Sequence, residues 1–293
     1  MTPNTAHSNS PGTDDAPWDL VIEPRRSLWS LRLGEVWQSR DLLLLFVRRD
    51  FVTFYKQTVL GPLWFFLQPL LRVAIYYIIF ARVANIPTDG VPPILFYLGG
   101  LTFWEYFASC WKKTSETFSE NQHIFGKVYF PRLVVPLSVM LSNGIKLLIQ
   151  FLLFALCWAW YRYQGAPLSI QAEVVFLPVV LLILAMMGLG AGLVVTSLTT
   201  RYRDLKFLLD TLIQLLMYVS PVLYPISLAE GAFRKLLLLN PLSAVLESIK
   251  YMFMGVGLFS WSLLAYSAAF AWVLLVGGIL VFNRTERNFI DTV

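Results

Sequence analysis

Charge is scarce in this sequence. Of its 293 residues only 14% are Asp, Glu, Lys or Arg, against about a quarter in soluble domains. Histidine and cysteine are almost missing, with two of each. Cys110 and Cys157 both lie in apolar stretches and read as small core hydrophobes, which excludes a disulfide-stapled fold. His7 in the tail and His123 in a loop form no ligand cluster, and there is no Cys-x-x-Cys, no His-Glu-x-x-His and no Gly-x-x-x-x-Gly-Lys phosphate loop. No cofactor or metal is therefore expected on this chain, and no recognised site for ATP hydrolysis is present. The first 24 residues lack an apolar run, so no signal peptide is expected and residues 1–30 read as a flexible cytoplasmic tail.

What the chain has is apolar surface: 57% hydrophobic and 15% aromatic residues, with mean hydropathy +0.63. A soluble enzyme or a disordered chain does not have this composition; an integral membrane protein does. The net charge of +5 then bears on topology and not on nucleic acid.

Long apolar stretches predict six transmembrane helices, at Leu63 to Val83, Ile94 to Trp111, Val134 to Trp160, Val174 to Leu198, Leu205 to Leu223 and Leu258 to Phe282. Six crossings return both termini to one side. Sorted on that topology, 16 of the 23 Lys and Arg fall on the side of the termini and five on the other, namely Arg82, Arg162, Arg234, Lys235 and Lys250. The excess places both termini in the cytoplasm. Arg72 and Lys146 fall inside spans, where a cation must face a partner helix or a wet cavity.

Two segments do not fit a simple span. Within 31–60, the apolar run Leu42 to Val47 is too short to cross and is bounded by charge. At 100° per residue Leu43, Leu44, Val47, Phe51, Phe54 and Tyr55 share one face, with Arg49, Thr53, Lys56 and Gln57 opposite, which predicts an amphipathic helix in the cytoplasmic interface. Gly61-Pro62 then turns the chain into the first span. Between the last two spans, residues 224–257 hold two short apolar pieces interrupted by Asn240-Pro241, which predicts two re-entrant half-helices.

Acids at membrane depth are few: Glu105, and Asp210 one turn from Gln214. A proton or sodium pump needs a denser relay; the Asp210–Gln214 pair is expected to pack helices or face a pore. The loop 119–132, with Asn121, Ile124, Phe125, Lys127, Tyr129, Phe130, Pro131 and Arg132, mixes aromatic and cationic side chains in a way that suits docking to another protein.

Several of these segments carry a family resemblance. Arg40-Asp41-Leu42, Arg48-Arg49-Asp50, Tyr55-Lys56-Gln57-Thr58-Val59-Leu60-Gly61-Pro62-Leu63-Trp64 and Leu67-Gln68-Pro69 resemble the start of the permease subunits of ABC exporters for O-antigen, capsular polysaccharide and teichoic acid. Lys127-Val128-Tyr129-Phe130-Pro131-Arg132, Tyr202-Arg203-Asp204, Ser220-Pro221-Val222-Leu223-Tyr224-Pro225, Asn240-Pro241-Leu242 and Glu286-Arg287-Asn288-Phe289-Ile290-Asp291 follow in the family's order. The resemblance covers about residues 22 to 293.

It implies a homodimeric channel in the bacterial inner membrane, with two ATP-binding subunits carrying ATP and Mg beneath it and an undecaprenyl-diphosphate-linked glycan as substrate. It also implies that residues 119–132 couple the ATPase to the membrane, that 31–60 is a gate helix and that 224–257 helps close the exit. Aromatic side chains can stack sugars, and Trp64, Phe65, Phe66, Tyr76, Tyr77, Tyr218 and Tyr224 are candidates for that path, with helix packing or interface anchoring the alternative for each. Arg40, Arg48, Arg49 and Lys56 are candidates for the lipid diphosphate, though topology alone also accounts for them. Lys146 departs from what the family's third span leads one to expect. The chain thus reads as an all-α transport subunit and not an enzyme. Rival readings are a permease for a drug or another lipid, and a membrane-embedded glycosyl or phosphoryl transferase, which would need a cluster of carboxylates.

Overall fold

Inside a bilayer every backbone N–H and C=O must find a partner within the chain, and for short polar loops between apolar runs the helix is the available solution. The computed structural model describes residues 33–56, 58–125, 130–199, 202 and 204–290. Among these residues all regular structure is helical. The elements are α1 Leu33–Gln38, α2 Arg40–Tyr55, α3 Trp64–Tyr76, α4 Pro93–Ser115, α5 Thr117–Glu120, α6 Gln122–Phe125, α7 Val134–Tyr163, α8 Leu177–Thr199, α9 Leu205–Tyr218, α10 Gly231–Leu239, α11 Pro241–Met254 and α12 Trp261–Ile290. The expected tail 1–30, Gln57, Lys127 and Tyr129 lie outside the described residues.

Four helical segments among the described residues are long and apolar enough to cross a membrane: Gly61–Val83, Val134–Tyr163, Ala172–Thr199 and Trp261–Thr285. The pair α10 and α11, bent by 91° at Asn240, makes a fifth if it is one broken span. The other two expected spans differ from these. α4 has 23 residues, about 35 Å at the helical rise, but it carries Glu105, Lys112 and Lys113 and is not in the apolar set. α9 has 14 residues and stops at Tyr218, about 21 Å and so short of the ~30 Å hydrocarbon layer. The expected end at Leu223 is therefore corrected. Pro221 disfavours helix at the residue before it and has no N–H to donate, so the helix closes ahead of it.

Prolines and caps set the other boundaries. Pro62, Pro93 and Pro241 stand in first turns, where a missing N–H costs nothing. The Asn240 side chain accepts from the Leu242 N–H at 3.1 Å, and Gly255 ends α11 with φ 70, a left-handed conformation that favours glycine. Pro69 sits inside α3, which runs on into a π-helical stretch at Tyr77–Val83.

α4 is the hub, enclosed by α3, α7, α8, α9 and α11. Glycines let α8 come close to two neighbours. A Cβ on Gly188 or Gly192 would collide with α4 at Cys110 or Thr114, and one on Gly190 would collide with the α12 backbone at Leu274 and Leu275. Close van der Waals packing of this kind replaces the hydrophobic effect as the source of helix association in lipid. Midway along α4 a ring cluster of Phe103, Phe151, Phe154 and Phe253 ties α4, α7 and α11 together.

α2 packs along α7. Phe46 and Val47 are buried and Leu42, Leu43 and Phe51 are half-buried, while Leu44 is 60% exposed. The docked face is thus rotated from the expected one and excludes Leu44, because Phe46 is captured by an aromatic cluster at the base of the bundle.

Candidate functional site

Polar residues on three apolar helices converge. Gln68 and Arg72 are one turn apart on α3. Glu105, Ser109 and Lys113 repeat every fourth residue on α4, and Asn143, Lys146 and Gln150 recur on one face of α7. All of these but Arg72 line, with Trp64, Phe65, Tyr106 and Leu147, a cleft of about 270 Å³. A narrower recess of about 30 Å³, bordered by Pro69, Arg72, Thr102 and Glu105, continues it along α3 and α4. Arg72 donates to Glu105 in an ion pair, which supplies the partner that the sequence left open. Lys146 lies in hydrogen-bond reach of Lys113, and the charges of Asp50 and Glu105 also act on it. Asn143 is 2% exposed, yet neither polar atom of its side chain has a hydrogen-bond partner.

The polar surface extends onto α9. Lys112 pairs with Asp210 at 2.7 Å, and Asp210, Thr211 and Gln214 are all exposed. Gln68 and Arg72, inside the candidate span Gly61–Val83, and Lys112, Asp210 and Gln214 on α4 and α9 are therefore all exposed. Lipid tails cannot solvate such groups.

A second constellation lies below the cleft. The ring of Phe46 on α2 meets that of Phe130 at 5.8 Å, Phe130 meets Phe125 at 5.7 Å, Phe125 meets Phe118 at 6.0 Å, and Phe118 stacks on Phe282 of α12 at 4.8 Å. Arg49 lies 4.7 Å over Phe46 and donates to the Asn121 Oδ1 at 3.4 Å, while Arg132 lies 5.2 Å over Phe125. Lys206 at the start of α9 donates to the Ser119 hydroxyl at 2.7 Å, and the Phe118 N–H donates to Thr196 of α8 at 3.5 Å. This aromatic joint fastens the segment between α4 and α7 to α2, α8, α9 and α12. Burial, then the neighbouring Glu120, raises the Glu116 carboxyl above the usual carboxylate range.

The opposite end of the bundle is held by one buried ion pair. Lys250 donates to Glu247 Oε1 at 3.0 Å, to the Pro221 carbonyl at 2.5 Å and to the Tyr224 carbonyl at 3.4 Å, and lies 4.3 Å over the Phe96 ring. Glu247 Oε2 accepts from the Leu258 N–H at 3.2 Å. Lys250, counted from the sequence as a free topology cation, is here the lock between α11 and the turn that follows α9.

The residues expected from the sequence distribute as follows. In the 119–132 segment Asn121, Phe125, Phe130 and Arg132 are buried, and Ile124 and Pro131 are half-buried. Their side chains point into the joint, and among the described residues of this segment Ser119 and Glu120 are the exposed ones. Arg40, Arg48, Arg49 and Lys56 are all exposed, with Arg49 also paired to Asp50 at 2.9 Å. Trp64 lines the cleft; Phe65 is buried in its wall and stacks on Phe51 at 5.2 Å; Phe66 is half-buried. Tyr76 packs on Phe80, and the Tyr77 hydroxyl accepts from Arg82 at 2.7 Å. Tyr218 is exposed, and the Tyr224 hydroxyl donates to its carbonyl at 2.9 Å. Gln68, Ser109, Lys113, Asn143 and Gln150 were missed from sequence, although their spacing of three or four residues within apolar helices was a signal.

Known proteins are similar to this chain over most of its length. The family described as ABC-2 type transporter matches residues 41–254. The O-antigen export system permease protein RfbA of Klebsiella pneumoniae is 28% identical over 262 residues, covering 86% of this chain and 94% of that one. The protein of the same name from Myxococcus xanthus is 28% identical over 262 residues, covering 88% and 98%. The polysialic acid transport protein KpsM of Escherichia coli is 24% identical over 249 residues, covering 83% and 93%.

Proposed function

Because this chain belongs to the ABC-2 type transporter membrane family, we propose that it is the membrane subunit of an ATP-driven exporter for a lipid-linked, O-antigen-like polysaccharide. The relatives named for O-antigen and polysialic acid export favour that substrate class. The observation that carries the reading is the exposed polar surface shared by α3, which lies in a candidate span, and the neighbouring α4 and α9. A bilayer does not tolerate it against lipid, and a second copy of the chain facing it across a water-filled path removes the conflict. In that homodimer α4 and α9 count as the second and fifth of six spans. α4 needs little apolar exterior because α3, α7, α8, α9 and α11 cover most of it and its exposed Lys112 faces the proposed wet path.

Each part then has a task. Two ATP-binding subunits beneath the membrane press on residues 119–132 when they close on ATP and Mg. The aromatic joint converts that push into movement of α2 and α12, since its rings are in continuous contact from Phe46 to Phe282. α2 lies in the cytoplasmic interface as a gate, with both termini in the cytoplasm of a bacterial inner-membrane protein. Arg40, Arg48 and Lys56 attract an undecaprenyl-diphosphate carrier to that layer. Trp64, Tyr76, Tyr218 and Tyr224 offer stacking faces to the advancing sugar chain. α10 and α11 close the exit. The chain itself performs no covalent chemistry.

The test is co-expression with the cognate ATP-binding subunit, reconstitution in vesicles and ATP-dependent movement of the lipid-linked glycan. Stable co-purification and transport that stops without ATP are expected. Purification without any ATPase, or turnover of a glycosyl donor by the chain alone, overturns the reading.

A further inference from the structure

α9 is held to the bundle unevenly. It packs on α4 and α8, and of its 14 residues Leu209 and Met217 are the buried ones. In its first turn Phe207 and Leu208 are 82% and 61% exposed and point away from the core. Two polar contacts grip that end. Lys206 donates to the Ser119 hydroxyl of α5, and one helical turn further along α9 Asp210 pairs with Lys112 near the end of α4, each at 2.7 Å. The contacts run in opposite chain directions, 206 with 119 and 210 with 112, as antiparallel segments require. Glu116 lies between them in sequence, and the charges of both lysines act on it.

Position gives this arrangement a use. Ser119 is an exposed residue of the segment on which the ATP-binding subunit presses in the exporter reading, while Asp210 and Gln214 belong to the exposed polar surface of α9. We infer that the polar clamp of Lys206 on Ser119 and Lys112 on Asp210 carries α9 along with α5, so that the push on residues 119–132 reaches the polar path by a second route beside the aromatic joint. The inference rests on the exporter reading and adds to it the regulation of α9. Such contacts suit transmission more than stability. The side chains of Lys112 and Asp210 are 47% and 58% exposed, and solvent-accessible ion pairs contribute little to folding. Two contacts one turn apart nevertheless fix both the height and the rotation of a helix with few buried side chains. Lys112, Ser119, Lys206 and Asp210 are thus positioning residues, which act through the helix they hold.

The test follows α9 directly in the complex with its ATP-binding subunit. With Cys157 replaced by Ser and the buried Cys110 kept, one cysteine is added at Gln214 on α9 or at Arg284 on α12, both exposed. Labelling by a water-soluble maleimide is timed in the nucleotide-free and ATP-bound states. ATP should change the rate at each position by roughly tenfold. In the Lys112→Met, Lys206→Met variant the response at 214 should vanish, while that at 284 persists and the unfolding temperature barely moves. Asp210→Lys should also abolish the response at 214, and Lys112→Asp added to it should restore the response, which a folding defect would not allow. Should the methionine variant fail to assemble, this exchange decides alone. An unchanged response at 214 in the variants overturns the clamp and leaves the exporter reading standing. Equal loss at 214 and 284 overturns it too, because the residues are then general supports of the bundle. Absence of any ATP response in the parent complex, or of an ATP-binding subunit that assembles with the chain, takes down the exporter reading and the clamp with it.

Discussion

The two ends of this bundle treat buried charge in opposite ways. Where α10 and α11 lie, Glu247 and Lys250 are 2% and 3% exposed and hydrogen-bonded to each other and to backbone at Pro221, Tyr224 and Leu258. Where α3, α4 and α7 meet, Arg72 and Glu105 are 52% and 35% exposed, and Asn143 beside them is unsatisfied. A satisfied network fixes one conformation, whereas a half-satisfied one is costly unless something else completes it. The first end is therefore a structural lock and the second a working surface.

Mutation should separate the two. The largest loss is expected from Lys250→Met, which strands the Glu247 carboxylate and should cost about 3–5 kcal/mol. It should appear as a steep fall in thermal unfolding temperature in detergent, with Glu247→Leu added to the same chain restoring most of it. Phe130→Ala opens a cavity in the aromatic joint at a cost of about 3–5 kcal/mol at most, and here ATP hydrolysis by the assembled complex should persist while transport falls. Gly192→Leu drives a side chain into Thr114 of α4, a clash of about 1–3 kcal/mol that should show in the unfolding temperature. Arg72→Ala, by contrast, removes a solvent-accessible pair worth no more than about 1 kcal/mol; stability should barely change while glycan transport drops at least tenfold. If Arg72→Ala destabilises as much as Lys250→Met, the distinction between lock and working surface is wrong. Glu116→Gln should be slightly stabilising above neutral pH. Burial and Glu120 raise this carboxyl, so the folded state loses stability as pH climbs through its window, and the amide removes that loss.

The sequence shows these two ends unequally. Apolar run length located α7, α8 and the start of α12 to within three residues, because each is one uninterrupted apolar piece, but it ended the last helix at Phe282, eight residues before α12 stops, since the polar end of that helix carries no apolar signal. It carried the fifth span to Leu223 because counting hydrophobicity does not register that Pro221 ends a helix at Tyr218. Helical phase placed Phe51 and Val47 on the docked face of α2 but included Leu44, since phase cannot say which ring a neighbour will capture. Composition drew attention to Phe125, Phe130 and Arg132 without saying that they face inward. The lock at Glu247 and Lys250 is an i,i+3 pair and was open to reading, yet its backbone partners lie 26 and 29 residues away. The cleft needed three helices brought together, which no single stretch encodes.

The central claim, that the polar surface on α3, α4 and α9 is wet in the assembled membrane protein, is tested most directly by thiol labelling. With Cys157 replaced by Ser and the fully buried Cys110 kept, one further cysteine is introduced at a time at Gln68, Gln214 or Leu148, and the complex in vesicles is treated with a water-soluble maleimide, which reacts with the hydrated thiolate. Leu148, 65% exposed on α7, is the lipid-facing control. Fast labelling at 68 and 214 with little at 148 is the predicted result; equal and slow labelling at all three positions would contradict the account.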